Sequence, residues 1–205
     1  MPGLDWQTLE GATLVREPFD HIAIPQVLEP GCAAAVPGEF PDIKSPGSFS
    51  LVDAPPGPVL SDLIDDLLSD RFRAQMARIF QMDLQDRPAL VTLRGQCSAR
   101  DGRVHTDSRS KVLSLLIYLN HEWVGRNAQL RLMNRADGFD TAPVEIPATL
   151  GSMVAFRRAD NSWHGHAPFV GQRRALQLNY LQTTRASLVG EVRHRLSAFA
   201  KQLVA

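Results

Sequence analysis

The second half of the chain is a series of short apolar runs separated by turn clusters, and this pattern restricts the fold more than any other feature. The runs cover residues 89–93, 112–119, 130–133, 151–156 and 175–181. Turn clusters built from Asp, Asn, Gly, Ala and Arg lie between them, at 99–102, 134–138 and 158–161. Several short strands without intervening helices are typical of an antiparallel barrel or jelly roll. We therefore predict a mainly β fold whose core, residues 89–181, is a double-stranded β-helix (jelly roll).

Helical patterns flank this core on both sides. Apolar residues recur at three- and four-residue spacings in residues 60–68 and again in residues 72–80, which predicts two amphipathic helices, with Ser61 as the N-cap of the first. We interpret both stripes as core packing. Residues 187–204 have the same spacing and predict a C-terminal helix that docks on a sheet or, as the alternative, on a partner subunit.

The first 60 residues are rich in proline and contain short apolar runs, such as residues 21–24, that predict strands between turns. We expect an ordered covering segment there, because Phe40, Phe49 and Leu51 need a surface to pack on. A chain of 205 residues is most simply one domain. Its predicted parts are a covering segment with helices (1–88), the jelly-roll core (89–181) and the C-terminal helix (187–204).

Composition argues against several partners. The 22 basic and 22 acidic residues balance, so the chain has no net charge that would attract nucleic acid or an anionic membrane. No apolar run approaches the roughly 20 residues that span a bilayer, and residues 1–10 lack the apolar stretch of a signal peptide. Cys32 and Cys97 are predicted to be free thiols. We expect a cytoplasmic protein that binds neither nucleic acid nor membrane.

Chemistry concentrates at two places in the predicted core. His105 and Asp107 are two residues apart, so both side chains point to one face of an extended segment. Alone, this pair is more often the polar end of an ordinary strand, but it follows a turn and precedes the most apolar strand. A second imidazole comes from His164 or His166, which would also face the same way on a strand.

Two histidines and one carboxylate suit Fe(II), because this set occupies one face of an octahedron and leaves three positions open. A 2-oxo acid can fill two of these positions and dioxygen the third. Arg173 or Arg174 could then hold the remote carboxylate of the acid with two parallel hydrogen bonds. Arg173 shares a strand face with Gln177 and Asn179, so alternation favours Arg173 for the polar interior, although a register shift of one residue would exchange the two arginines.

These residues together resemble the Fe(II)/2-oxoglutarate dioxygenases of the prolyl-hydroxylase-like branch. The matching segments in residues 89–181 are His105-Thr106-Asp107, Ile117-Tyr118-Leu119-Asn120 with Trp123, Leu130-Arg131-Leu132, Gly151-Ser152-Met153-Val154-Ala155-Phe156, His164 with Pro168, and Arg173 leading to Asn179-Tyr180. The chain is also similar to a group of small bacterial oxygenases of unassigned substrate. One departure is Ala128-Gln129, which stands where the family usually has Gly-Gly.

The resemblance implies a role for five residues. His105, Asp107 and His164 would be the metal ligands, and Pro168, four residues after His164, matches the family spacing. Arg173 would bind 2-oxoglutarate. Tyr118 falls on a tyrosine that binds 2-oxoglutarate in the family, although a core aromatic at the barrel mouth is an equal alternative for this position.

The implied reaction is hydroxylation with release of succinate and carbon dioxide. It would need Fe(II), 2-oxoglutarate and dioxygen, with ascorbate in support. Asp107 favours hydroxylation, because the related halogenases have a small residue there. The substrate would be a small molecule or a protein side chain such as proline. Five arginines near the expected barrel mouth would suit an anionic substrate, or would form only a solvated basic rim; these are Arg94, Arg100, Arg103, Arg109 and Arg126.

Two other classes of protein could use parts of this pattern. A non-catalytic jelly-roll module could bind a metal or a sugar. A zinc hydrolase could hold its ion with two histidines and one aspartate and keep one position open. Neither class gives Arg173 a role, so we favour the oxygenase.

Overall fold

A computed structural model describes residues 2–121, 123 and 128–182. The helix predicted at 187–204 lies outside these residues. The helices are α1 (Trp6–Glu10), α2 (Pro30–Glu39), α3 (Pro58–Leu68) and α4 (Asp70–Phe80). The strands are β1 (His21–Ile24), β2 (Ala89–Cys97), β3 (Lys111–Tyr118), β4 (Leu130–Met133), β5 (Val144–Ile146), β6 (Met153–Arg157), β7 (Trp163–Gly165) and β8 (Gly171–Leu181).

The strands form two sheets in which every paired neighbour is antiparallel. The larger sheet has the order β1-β6-β3-β8-β2, and the smaller has the order β5-β4-β7. From β5 to β8, consecutive strands alternate between the two sheets, as in a double-stranded β-helix. The predicted fold class, a jelly-roll core with flanking helices, is therefore confirmed.

Alternation along the central strands divides the apolar residues between two cores. On β3, Leu113, Leu115 and Ile117 face the helices and join a large core with residues of α2, α3 and α4. Leu116 and Tyr118 face the other way, toward the smaller sheet, and pack with Leu130, Leu132 and Phe156 among others. A polar site on β3 can lie only on the face that points into the cleft between the sheets, because the helices cover the other face.

The helices pack as the sequence predicted, but one cap differs. All buried residues of α3 and α4 belong to the predicted stripes, but Leu68, which the first stripe also included, is 40% exposed. The Ser69 side chain caps α4 by accepting from the Phe72 N–H. The prediction of Ser61 as an N-cap was wrong. α3 begins one turn earlier, after Gly57 with Pro58 in the first turn, and the Ser61 hydroxyl donates to the Gly57 carbonyl at 3.0 Å.

The N-terminal segment is an ordered cover, as predicted. Phe40 and Phe49 are buried in the large core, and β1 pairs with β6 at the edge of the larger sheet. No helix in the described ranges is both long and apolar enough to cross a membrane.

Candidate active site

The predicted ligands come together at one end of the cleft between the sheets. The backbone N–H groups of His105 and His164 each donate to the other residue's carbonyl, at 3.0 and 2.9 Å, so the segment before β3 lies against β7. Ligand atoms of His105, Asp107 and His164 all lie within 4.8 Å of one another. Among the described residues no other group of three or more His, Cys, Asp and Glu side chains is close enough to hold a metal ion.

Both imidazoles are oriented by backbone carbonyls. Nδ1 of His105 lies 2.8 Å from the Arg103 oxygen, and Nδ1 of His164 lies 2.9 Å from the Ser162 oxygen. A carbonyl only accepts, so the network assigns the proton of each neutral ring to Nδ1 and leaves the Nε2 lone pair free for a metal. Burial lowers the pKa of His164 to about 4, and this ring is therefore neutral at neutral pH, as a ligand must be.

The carboxylate of Asp107 is held by two side chains of β3. Lys111 Nζ donates to one oxygen at 2.7 Å, and the Ser114 hydroxyl donates to the other at 2.5 Å. Burial alone would raise the pKa of Asp107. The charges of Lys111 and His164 and the two hydrogen bonds outweigh burial and lower this pKa to about 2. Asp107 is therefore ionised and fixed in orientation.

Arg173 is a buried cation at the other end of the same cleft. Its Nε donates to the Ala128 carbonyl at 3.1 Å, and its Nη2 donates to the Tyr118 hydroxyl at 2.7 Å. Only 4% of the residue is exposed. No carboxylate of the described residues forms an ion pair with Arg173. Burial raises the pKa of Tyr118, which keeps its phenolic proton available for a carboxylate acceptor.

The choice between the adjacent arginines agrees with the predicted alternation. Arg174 points to the opposite face of β8, where its Nη1 donates to the Pro37 carbonyl at 2.8 Å and its guanidinium lies 5.4 Å from the centre of the Phe40 ring. Arg174 therefore fastens α2 to the larger sheet, and only Arg173 faces the cleft.

His166 lines the cleft but does not belong to the triad. Its backbone N–H donates to the Gly102 carbonyl at 2.8 Å, and its Nδ1 lies 2.9 Å from the Ala167 oxygen. The ring packs beneath Gly102, where an added Cβ would lie 2.3 Å from it. Gly102 has a φ of +80°, so a side chain there would be strained as well as obstructed.

One cavity of about 190 Å³ joins these groups. It contains the triad, Arg173 and several residues of both sheets and of the covering segment. The lining consists of Ser48, Arg94, Gly102, His105, Asp107, Lys111, Leu116, Leu130, Phe156, His164, Gly165, His166, Arg173 and Gln177.

Two of the supporting residues were not predicted from the sequence. Lys111 and Ser114 fix Asp107, and a signal for Ser114 did exist: it is the one polar residue between Val112 and Leu119 apart from the Tyr118 hydroxyl. Its position has the same parity as Tyr118, which marks the face of the cleft.

The donor set fits Fe(II). Two Nε2 atoms with free lone pairs and one ionised carboxylate form the 2-His-1-carboxylate group that leaves open positions on non-haem iron. A zinc ion would accept the same three donors, but its chemistry would not use a buried arginine that lacks a carboxylate.

Comparison with solved structures identifies the architecture. A prolyl 4-hydroxylase from Pseudomonas putida matches with a TM-score of 0.56 and 17% identity, over 79% of this chain and 84% of that chain. A prolyl hydroxylase from Trichoplax adhaerens, in complex with a hypoxia inducible factor peptide fragment, matches with a TM-score of 0.55 and 17% identity, over 82% and 86%. The chain has the prolyl-hydroxylase fold. The viral collagen prolyl hydroxylase of Paramecium bursaria Chlorella virus-1 agrees, with a TM-score of 0.54 and 13% identity over 82% and 94%.

The resemblance seen in the sequence is thus confirmed at the level of the fold. No family model matches the sequence, and no curated protein matches it either. The departure at Ala128 coincides with an unusual backbone conformation in this structure. Ala128 has a φ of +64°, the left-handed region that favours glycine, and its carbonyl accepts from Arg173. The alanine therefore adopts a backbone conformation for which the family's glycine is better suited.

Proposed function

We propose that this protein is an Fe(II)- and 2-oxoglutarate-dependent dioxygenase that hydroxylates its substrate. The observation that supports this most is Arg173, a buried cation without a described carboxylate partner, in one cavity with the His105, Asp107 and His164 triad. A buried charge without a counter-ion is costly. An oxo acid that reaches from the triad to Arg173 supplies the missing anion.

His105, Asp107 and His164 would hold the iron, and Arg173 with the Tyr118 hydroxyl would hold the remote carboxylate of 2-oxoglutarate. The chemistry that such an iron site supplies is oxidative decarboxylation of 2-oxoglutarate by dioxygen, with one oxygen atom ending in succinate and the other in the hydroxylated substrate.

The chain's own residues prepare the site for this chemistry. Lys111 and Ser114 fix the carboxylate of Asp107, so the ligand does not have to be ordered when the metal binds. Leu116, Leu130 and Phe156 line the cavity with apolar surface, which keeps water from the reacting centre.

Binding of 2-oxoglutarate to the anaerobic Fe(II) protein tests the proposal, because the chelated oxo acid absorbs visible light. We expect saturable binding to the wild-type protein. Arg173→Leu should raise the apparent Kd by about two orders of magnitude or more, since loss of one partner of a buried charged pair costs roughly 3–5 kcal/mol. Arg174→Leu is the matched control, because that arginine faces α2, and it should change the Kd little.

Aerobic release of succinate, with ascorbate present, should depend on His105, Asp107 and His164 in the same preparations. If 2-oxoglutarate binds equally to the wild-type protein and to Arg173→Leu, the proposed function is wrong and a non-catalytic binding module becomes the better account.

We also propose a cytoplasmic location. Cys32 and Cys97 are both buried free thiols, which suits a reducing compartment. Fractionation of cells that express a tagged full-length chain would test this, and recovery in a secreted or periplasmic fraction would contradict it.

A further inference from the structure

Side chains of the larger sheet form the floor of the cavity, and the strand register arranges them in rows. Each row contains residues that are directly opposite one another on β2, β8 and β3. The row nearest Asp107 contains Asn179 and Ser114, the next contains Thr92, Gln177 and Leu116, and the third contains Arg94, Ala175 and Tyr118. Arg173 follows Ala175 on the same face of β8, one step farther from the triad.

Arg94 therefore lies on β2, one row closer to the triad than Arg173. Arg94 and Arg173 both line the cavity, on neighbouring strands. An oxo acid that runs from the triad to Arg173 would pass along β8, with Arg94 at its side.

The guanidinium of Arg94 has unused hydrogen-bonding capacity. Its ion pair with Asp101 is long, with 3.5 Å between Nη2 and the carboxylate oxygen. Its Nε is buried and has no hydrogen-bond partner in the described structure. Buried donors without partners are uncommon in folded proteins, and the Arg94 side chain as a whole keeps 27% of its surface exposed, so its guanidinium is open to a ligand.

The other two cations of the cavity each have a role in the proposed site. Lys111 pairs with Asp107 at 2.7 Å, and Arg173 has the remote carboxylate of 2-oxoglutarate under the proposed function. Arg94 is the third cation of the lining, and it is not needed for either role. A second anionic group in the cavity would form an ion pair with Arg94.

We propose that Arg94 binds a carboxylate of the substrate, and that the substrate is a small organic acid. This inference rests on the proposed function. A cavity of about 190 Å³ is below the roughly 300–1,000 Å³ typical of sites for drug-sized ligands, so a substrate that binds inside it beside the oxo acid has to be small. An internal proline of a peptide has no carboxylate to offer Arg94.

Ligand-dependent thermal stability tests the inference without turnover. The full chain is loaded with Mn(II), which binds the same donors, and with saturating 2-oxoglutarate. The probes are isobutyrate, benzoate, L-proline and N-acetylglycine, each compared with its primary amide. We expect at least one acid to raise the Tm, and its amide, which has the same shape without the charge, to leave the Tm unchanged.

Three variants locate the effect. Arg94→Gln should weaken binding of the effective acid at least about tenfold, because the charge-assisted pair is lost. Arg94→Lys keeps the charge and should retain part of the affinity, which controls for misfolding. Arg100→Gln removes an exposed arginine of the turn that follows β2, which does not line the cavity, and should have no effect.

The outcomes separate the inference from the proposed function. If 2-oxoglutarate itself fails to stabilise the wild-type Mn(II) protein, the proposed function and the inference both fall. If 2-oxoglutarate binds but no acid does, or an acid and its amide act equally, only the inference is overturned. It is also overturned if Arg94→Gln weakens 2-oxoglutarate binding as much as Arg173→Leu does, because Arg94 would then serve the oxo acid.

Discussion

At the scale of single residues, two histidines only two positions apart have different environments. His164 pairs with His105 across the backbone bridge and has its Nε2 free, whereas His166 lies under Gly102 and outside the triad. Loss of one ligand should therefore reduce affinity for Mn(II) or Fe(II) by more than the roughly 10–100-fold that loss of a supporting partner costs. We expect this for His164→Ala and only a small change for His166→Ala in calorimetric titrations. Equal losses would show that the ligand is not His164 alone.

Ser114 gives a second prediction at this scale, since it acts on the metal only through Asp107. Ser114→Ala removes the donor 2.5 Å from one carboxylate oxygen and leaves Lys111 on the other. Metal affinity should fall about 10–100-fold with the fold intact. Ser108→Ala, an exposed serine of the same segment, is the matched control. Unchanged affinity in Ser114→Ala would mean that Lys111 alone fixes the ligand.

The sequence predicted the candidate ligands of the metal and of the oxo acid but not the groups that hold them in place. His105, Asp107, His164, Arg173 and Tyr118 were predicted from spacing, alternation and resemblance, and the structure brings all five to one cleft. The contact between Lys111 and Asp107 could not be predicted, because it depends on how the chain turns between residue 107 and β3. Likewise, the carbonyls that orient the histidines are backbone atoms and leave no trace in residue type.

At the scale of elements, the close approach of β7 to the segment before β3 builds the triad. A Cβ added to Gly165 would lie 2.6 Å from the Gly102 carbonyl oxygen and 3.1 Å from the Val104 Cα. These are backbone atoms, so they cannot rotate away as a side chain would. Glycine at this position therefore allows the two backbones to meet at the bridge between His105 and His164.

Gly165→Ala should separate His105 from His164 and so weaken metal binding about as strongly as loss of a ligand. Fe(II) or Mn(II) titration measures this, and circular dichroism should still show a folded β protein. Gly138→Ala is the control, because a Cβ there would meet its nearest neighbour at an ordinary 3.4 Å. Normal metal affinity in Gly165→Ala would mean that the bridge is not needed to assemble the site.

The sequence predicted the long elements and missed the short or proline-containing ones. α3 and α4 have strong apolar stripes, and β3 is a nearly continuous apolar run. α2 was not predicted, because its ten residues include two prolines and two glycines, and its packing on α3 and on Arg174 compensates for poor helix propensity. β5 has three residues, too few to show alternation, and its pairing with β4 defines it.

At the scale of the whole molecule, the helices and the barrel share one core. Residues of α3 and α4 pack in the same cluster as Leu113, Leu115 and Ile117 of β3, whose opposite face lines the cleft. The N-terminal helices therefore pack against the side of the larger sheet that is opposite the site. Chain length predicts a single domain, and we therefore expect the chain to unfold as one cooperative unit.

Phe72→Ala tests this unity, because Phe72 is fully buried in α4 and far along the sequence from the site. Removing a buried Phe side chain costs roughly 3–5 kcal/mol in a closely packed core. Two single-tryptophan proteins, one retaining Trp6 beside α4 and one retaining Trp163 in β7, report on the two ends of the fold. In denaturant titrations the two probes should give coincident transitions, and Phe72→Ala should lower both midpoints equally. Val52→Ala, at a residue 74% exposed, should lower neither. If Phe72→Ala moved only the Trp6 transition, the helices would be a separate folding unit, and the barrel would hold its site without their support.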